Sequence, residues 1–220
     1  MKKFLASVLS TIAVSLIAFL IYNGGDALIT NLFAPGKINK LAGTYYCQEH
    51  VEAETAEKIL VNNDFYEEEI ALADLNSLYR PRYIEFDTDK NYSFYVDANG
   101  YRSNVMAFLR QTYDRMYDNR SQLAGLYDVD LVSMSKDEFL NFYAGLYGQT
   151  SFDAMIELLS TVYDYTEMGS VERGTYTVKG SDILTKVGGL GKEESIGYRI
   201  SGDTLTLTFS DVVLTFNKIK

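Results

Sequence analysis

A chain of 220 residues, 47% of them hydrophobic, is long enough for a membrane-proximal segment plus one sizeable core or two small ones, which disfavours intrinsic disorder. The 30 acidic and 20 basic residues give a formal charge of −10, so we expect no nucleic-acid partner. The single cysteine, Cys47, excludes an intramolecular disulfide, and its strand-like surroundings favour an inert thiol over a reactive nucleophile.

Residues 1–22 have the form of an export signal, with two lysines followed by an uncharged, mostly apolar run from Phe4 to Tyr22. That run approaches the roughly 20 residues that span a bilayer, so it predicts an uncleaved signal anchor, a single-pass transmembrane helix with the rest of the chain outside the cell membrane. Gly25 and Ala27 leave open the alternative of signal cleavage and secretion. Residues 23–40 are interpreted as a juxtamembrane linker.

Residues 41–220 are predicted to form one α+β domain, an antiparallel β-barrel or half-barrel with a helical insertion. Apolar residues recur at a spacing of two from Leu41, again between Ile84 and Val96, and throughout Arg173–Lys220. At about residues 102–168 the apolar spacing changes to that of amphipathic helices. The helical insertion is therefore expected there, with strands before and after it.

Four local signals refine the boundaries of these elements. Asp64–Glu67 and Ser135–Glu138 have the spacing of capping boxes, so each predicts the start of a helix. Pro81 is expected to end the first of these helices. Asp97–Gly100 predicts a turn that leads the chain out of the sheet.

Several strand sequences resemble those of a known group of proteins. The opening strand Leu41–Tyr45 is similar to the strand that begins lipocalin-like domains of exported proteins from Gram-positive bacteria. Later strands of that group resemble Tyr83–Phe86 with Tyr92–Phe94, Gly174–Val178 and Gly202–Leu207. The resemblance covers roughly the whole of residues 41–220 and implies a barrel of about eight strands with a helical insert, but no activity and no functional residues. The chain lacks the group's lipidated cysteine and has Tyr45 where Trp is common.

Motifs with a possible chemical role have simpler interpretations. His50 with Glu52 and Glu54 is a poor set of metal ligands and is expected to be a solvated acidic face. Asp87–Asn91 matches only the opening of a calcium loop, which predicts a hairpin turn, and Gly188–Lys192 lacks the magnesium ligand of a phosphate-binding loop. We therefore predict no cofactor, no metal site and no catalytic residue.

Aromatic side chains are the one enrichment with a possible functional meaning, since the chain has 18 Tyr and 12 Phe. Tyrosine combines a large apolar body with a polar tip, which suits a ligand cleft. The candidate ligand-binding residues share helical faces and are Tyr113, Tyr117, Phe139, Tyr143 and Tyr147. The alternative is that these rings pack the insertion against the sheet.

The functional prediction is an extracytoplasmic, membrane-anchored, non-catalytic binding module for a small apolar ligand or a protein of the cell envelope. The first alternative is a structural or interaction protein whose barrel is filled by its own side chains. The second is a wall hydrolase that uses a pair of carboxylates, which would lie roughly 5 to 9.5 Å apart.

Overall fold

The computed structural model describes residues 40–161, 171–187, 193–209 and 212–220. Eight described strands close an antiparallel β-barrel in which each strand lies next to its neighbours in the chain. The strands are β1 (Gly43–His50), β2 (Tyr79–Phe86), β3 (Asn91–Val96), β4 (Glu172–Lys179), β5 (Asp182–Val187), β6 (Glu193–Ser201), β7 (Thr204–Thr208) and β8 (Val213–Lys218). The predicted antiparallel barrel is confirmed, and it is closed, so the half-barrel alternative is excluded.

Helices occupy two of the connections between strands. The described helices are α1 (Ala53–Val61) and α2 (Glu67–Ile70) between β1 and β2, and α3 (Ala98–Asp118), α4 (Lys136–Leu146) and α5 (Phe152–Leu159) between β3 and β4. Two short 3₁₀ turns, Arg120–Leu123 and Leu131–Ser133, join α3 to α4. The helical insertion between the early and the late strands is thus present, with residues 162–170 outside the described part.

The chain divides into two compact units, and the division falls inside β1, β2 and β3. The barrel unit contains the described residues up to Tyr45, Ile84–Ser93 and the described residues from Arg173 onward. The helical unit contains Tyr46–Tyr83 and Phe94–Glu172.

In the barrel unit, strands β4 to β8 form a meander with regular antiparallel register. Tyr176 pairs with Thr185 and Leu205 pairs with Phe216, and all four side chains are buried. The alternation of apolar and polar residues predicted these buried positions, because successive side chains of a strand point to opposite faces. Gly180 supports a tight turn with φ of 64°, a backbone conformation that glycine adopts without strain.

In the helical unit, side chains cap several of the helices. The predicted box at Ser135 and Glu138 is confirmed, because the Ser135 hydroxyl accepts from the Glu138 amide while the Glu138 carboxylate accepts from the Ser135 amide. Asp97, predicted to lie in a turn, instead caps α3 by accepting from the Gly100 amide at 3.1 Å. The turn prediction was wrong because the same local bond from an Asp side chain serves turns and helix caps alike.

Two predictions in the acidic stretch are also wrong. Asp64 has φ of 60°, a left-handed conformation that does not suit an N-cap, and α2 instead begins after Tyr66, whose amide donates to the Glu69 carboxylate at 2.9 Å. Pro81 lies inside β2 and does not end a helix, and its carbonyl accepts from the Asp97 amide at 3.1 Å.

The predicted signal anchor, residues 1–22, and almost all of the predicted linker lie outside the described residues. In the part of the chain that the structure describes, no helix has both the length and the apolar character needed to cross a membrane.

Candidate functional site

The five predicted aromatic residues come together in the helical unit. Tyr143 contacts Phe139 and Tyr113, with ring centroids 4.9 and 5.2 Å apart, and Tyr117 contacts Phe139 at 5.6 Å. Helical spacing produces this arrangement, because residues three or four apart lie on one face of α3 or α4. Tyr113, Phe139 and Tyr143 are at most 2% exposed, while Tyr117 and Tyr147 are half-buried. Ligand binding by these rings stays a prediction.

A buried carboxylate that the sequence did not single out lies among these rings. Glu69 is 2% exposed, and its Oε1 accepts hydrogen bonds from the hydroxyls of Tyr127 and Tyr143, both at 2.7 Å. Its Oε2 accepts from the Tyr66 amide at 2.9 Å. Both carboxylate oxygens therefore have donors, which compensates for removing this group from water.

Tyr147 follows the last residue of α4 and has a different hydrogen-bond acceptor. The Tyr147 hydroxyl donates to the Asn63 carbonyl oxygen at 2.6 Å. Burial, followed by the nearby Glu69 charge, raises the pKa of Tyr143 far above its usual value. Burial is also the main cause that raises the pKa of Tyr147 to about 12. These tyrosines remain neutral donors at physiological pH, so the cluster acts as a polar support inside the helical core.

A separate open cleft lies in the barrel unit. It has a volume of about 670 Å³ and is formed where β1, β3 and β4 begin and where β2 ends. We call it the barrel cleft. Its lining residues are Gly43, Thr44, Glu85, Phe86, Asp87, Asn91, Tyr92, Ser93, Arg173, Gly174 and Thr175. None of these was among the predicted site residues, because strand alternation does not reveal which strand ends meet.

The polar groups of the barrel cleft have different roles. Asp87 is committed to its turn, since its carboxylate accepts from the Asn91 amide at 2.7 Å and from the Asn91 side chain at 2.8 Å. Burial alone would raise the pKa of Asp87, but these hydrogen bonds outweigh burial, so the pKa is lowered. Glu85 accepts from the Ser93 hydroxyl at 3.3 Å, and Arg173 is exposed. Besides Asp87, the lining thus includes a second carboxylate, one guanidinium and several residues with hydroxyl groups, next to aromatic residues.

The motifs judged inert from the sequence have ordinary structural roles. The Asp87–Asn91 hairpin turn is confirmed, with Lys90 at φ of 68°. His50 Nε2 lies 2.8 Å from the Asn76 carbonyl oxygen, and Cys47 is buried with its thiol pKa raised to about 11, chiefly by burial. Gly188–Lys192 lies outside the described residues. Among those described, no group of three or more His, Cys, Asp or Glu residues is arranged to hold a metal ion.

No protein-family model, no curated protein and no solved structure matches this chain, so the cleft and the cluster are interpreted from their own geometry.

Proposed function

We propose that this protein is a non-catalytic binding module that takes a small, largely apolar ligand into the barrel cleft. The observation that carries the proposal is the cleft itself, whose volume of about 670 Å³ falls within the range of roughly 300 to 1,000 Å³ that small-molecule sites occupy. Four strands contribute to its walls, and each is held by the ladder of the barrel. A site on such strands is formed before its ligand arrives, which lowers the entropic cost of binding.

Two glycines bring the walls of the cleft close to neighbouring chain segments. A Cβ atom at Gly174 would lie 2.0 Å from the Lys186 carbonyl oxygen and 2.8 Å from the Tyr92 ring. At Gly43 a Cβ would lie 2.6 Å from the Lys220 carbonyl oxygen. Only glycine permits these approaches, so the shape of the cleft depends on both positions.

The lining indicates the chemistry of the ligand. Phe86 and Tyr92 line the cleft although each is only 4% exposed, so they contribute a small aromatic part of its wall that favours an apolar body. Glu85, Ser93 and Arg173 offer groups of both charges and a hydroxyl, which would orient a ligand that carries a polar or zwitterionic end. We expect an apolar molecule with one such end.

The proposal extends to the protein's class and location. The closed eight-stranded barrel with inserted helices supports a lipocalin-like domain, in line with the resemblance of strands such as Leu41–Tyr45. The apolar run Phe4–Tyr22 supports a signal anchor in the cell membrane with this domain outside, and secretion after cleavage is the alternative.

A cleft-filling variant tests this function. Thr175 is exposed and lines the cleft, so Thr175→Trp should fill it, while Thr177→Trp, at the next outward position of β4, is a matched control. Small-molecule fragments are screened by ligand-observed NMR against the full chain. We expect hits that bind the wild type and the Thr177 variant and lose at least tenfold in affinity with the Thr175 variant. Fragment binding that is equal in all three proteins would refute the proposal.

A second candidate, an interaction protein with a filled barrel, is favoured by the interior of the barrel unit. Phe86 lies between Tyr45 and Tyr176, with ring centroids 6.5 and 5.0 Å away, and all three are at most 4% exposed. Such packing is typical of small barrels, whose interior is just wide enough for side chains. A screen without any cleft ligand would favour this candidate.

A further inference from the structure

A second, smaller hollow lies in the helical unit and is distinct from the barrel cleft. It has a volume of about 320 Å³ and lies where β1 and β2 face the middle of α3. We call it the amide hollow. Its lining includes Gln48 from β1, Ser77 and Tyr79 near the start of β2, and Asn104, Phe108 and Gln111 from α3.

The lining of the amide hollow is polar but carries no charge. Carboxamides on Gln48, Asn104 and Gln111 supply both donors and acceptors, and Ser77 adds a hydroxyl. An uncharged lining gives no compensation for desolvating an ionic ligand, which disfavours anions and cations. The lining is therefore complementary to a neutral ligand that is rich in hydroxyl groups.

Hydrogen bonds fix two of the carboxamides before any ligand is present. Asn104 Nδ2 donates to the Tyr79 carbonyl oxygen at 2.8 Å and to Gln48 Oε1 at 3.4 Å, and Gln48 Nε2 donates to the Tyr46 hydroxyl. Asn104 Oδ1 and the Gln111 carboxamide make no hydrogen bonds within the described part of the chain. The carboxamides of Gln48 and Asn104 are thus oriented before a ligand binds, which lowers the entropic cost of binding. Asn104 Oδ1 and the Gln111 carboxamide are available to bond a ligand.

Tyr79 provides an aromatic wall. Its side chain is 42% exposed, and its ring is held by an edge-to-face contact with His50, with centroids 5.5 Å apart at 89°. His50 is itself anchored, since its Nε2 lies 2.8 Å from the Asn76 carbonyl oxygen. The face of an aromatic ring carries partial negative charge, so it attracts the partly positive C–H groups on the apolar face of a sugar ring.

Further tyrosines continue from the hollow along β1 and β2 and onto β3. Tyr46 lies two residues before Gln48 and shares its strand face, and Tyr46 contacts Tyr83 with ring centroids 4.9 Å apart. Tyr83 in turn stacks on Tyr95 at 5.3 Å. All three are half-buried, so they offer additional contact beyond one sugar unit.

We propose that the amide hollow is a binding site for a neutral oligosaccharide, with one sugar ring against Tyr79 and the following units along the tyrosines. A proline-rich peptide is less well matched, because recognition of that conformation uses a groove with several aromatic walls and the hollow offers one. This site goes beyond the proposed ligand of the barrel cleft and stands without it.

The test measures binding of cellotetraose and chitotetraose to the full chain by calorimetry, in a detergent whose headgroup is not a sugar. We expect one of them to bind, more tightly than its disaccharide. Tyr79→Ala should weaken binding at least tenfold, and Gln111→Ala about two- to tenfold, as for the loss of one hydrogen bond. Tyr66→Ala is the matched control, because Tyr66 is 50% exposed and does not line the hollow.

Three results would overturn the site. The first is that neither oligosaccharide binds. The second is binding that both Tyr79→Ala and Gln111→Ala leave unchanged, since Gln111 is exposed and its loss is not expected to affect folding. The third is tighter binding of oligogalacturonate or of a proline-rich decapeptide at the same residues.

Discussion

The two units of this molecule bury tyrosines in opposite ways. In the barrel unit the Tyr45 and Tyr176 hydroxyls donate to backbone carbonyl oxygens, those of Leu41 at 2.9 Å and Asp87 at 2.7 Å. In the helical unit the Tyr143 hydroxyl donates to the buried carboxylate of Glu69. The barrel therefore satisfies these two hydroxyls through main-chain carbonyl oxygens, whereas Tyr127 and Tyr143 in the helical core share one acidic side chain.

That difference makes Glu69→Ala the most damaging substitution we expect. This substitution leaves the Tyr127 and Tyr143 hydroxyls without an acceptor, and it removes the cap of α2. It also opens a cavity, so we expect the free energy of unfolding to fall by about 3–5 kcal/mol. Chemical denaturation measures it, with Glu68→Ala as the control because Glu68 is exposed. Equal stability of the two variants would show that the cluster does not support the core.

In the barrel unit the corresponding weak point is backbone spacing. Gly174→Ala places a methyl group 2.0 Å from the Lys186 carbonyl oxygen, so β4 and β5 must separate, at a cost of about 1–3 kcal/mol. Gly145→Ala in α4 meets no atom within 4 Å and should stabilise by about 0.5–1 kcal/mol. Thermal unfolding shows whether each variant is destabilised or stabilised. A Gly174 variant as stable as the wild type would contradict the barrel geometry.

The comparison is sharpest for two matched tyrosine substitutions. Tyr143→Phe removes a hydrogen bond to a carboxylate, worth about 1.5–3 kcal/mol, while Tyr176→Phe removes one to a carbonyl, worth about 0.5–1.5 kcal/mol. Urea unfolding of the two variants ranks them directly. A larger loss for Tyr176→Phe than for Tyr143→Phe would reverse the contrast between the units.

At high pH we expect the stability of the wild type and that of Tyr143→Phe to respond differently to pH, and this is the smallest of the expected effects. The pKa of Tyr143 is raised in the folded state. Its contribution to the free energy of unfolding is therefore complete below the unfolded-state pKa near 10, and it is lost as the pH rises through the folded-state pKa. Above pH 10 each such tyrosine lowers the free energy of unfolding by about 1.4 kcal/mol per pH unit. The variant should therefore lose stability less steeply, as followed by denaturation between pH 9 and about 11. Parallel curves would contradict the raised pKa.

Local patterns predicted much of the fold. The alternation in Arg173–Lys220 and the capping box at Ser135 depend on neighbours within a few residues, so the sequence displays them directly. The error at Asp97 has the same origin, because one local hydrogen bond suits both a turn and a helix cap.

The candidate sites could not be derived in this way. Glu69 is one of three consecutive glutamates, and its burial depends on Tyr127 and Tyr143, which lie 58 and 74 positions away. The barrel cleft likewise combines the start of β1 with the start of β4, and strand periodicity does not specify that pairing. The tyrosines on α3 and α4 were found because helical spacing places them on shared faces.

The central claim is that the barrel cleft holds a ligand, and native mass spectrometry of the full chain purified from its own host tests it most directly. The account predicts a small molecule bound to the wild type and to Thr177→Trp and absent from Thr175→Trp. A wild-type protein that carries no ligand, or a ligand retained by the Thr175 variant, would contradict it.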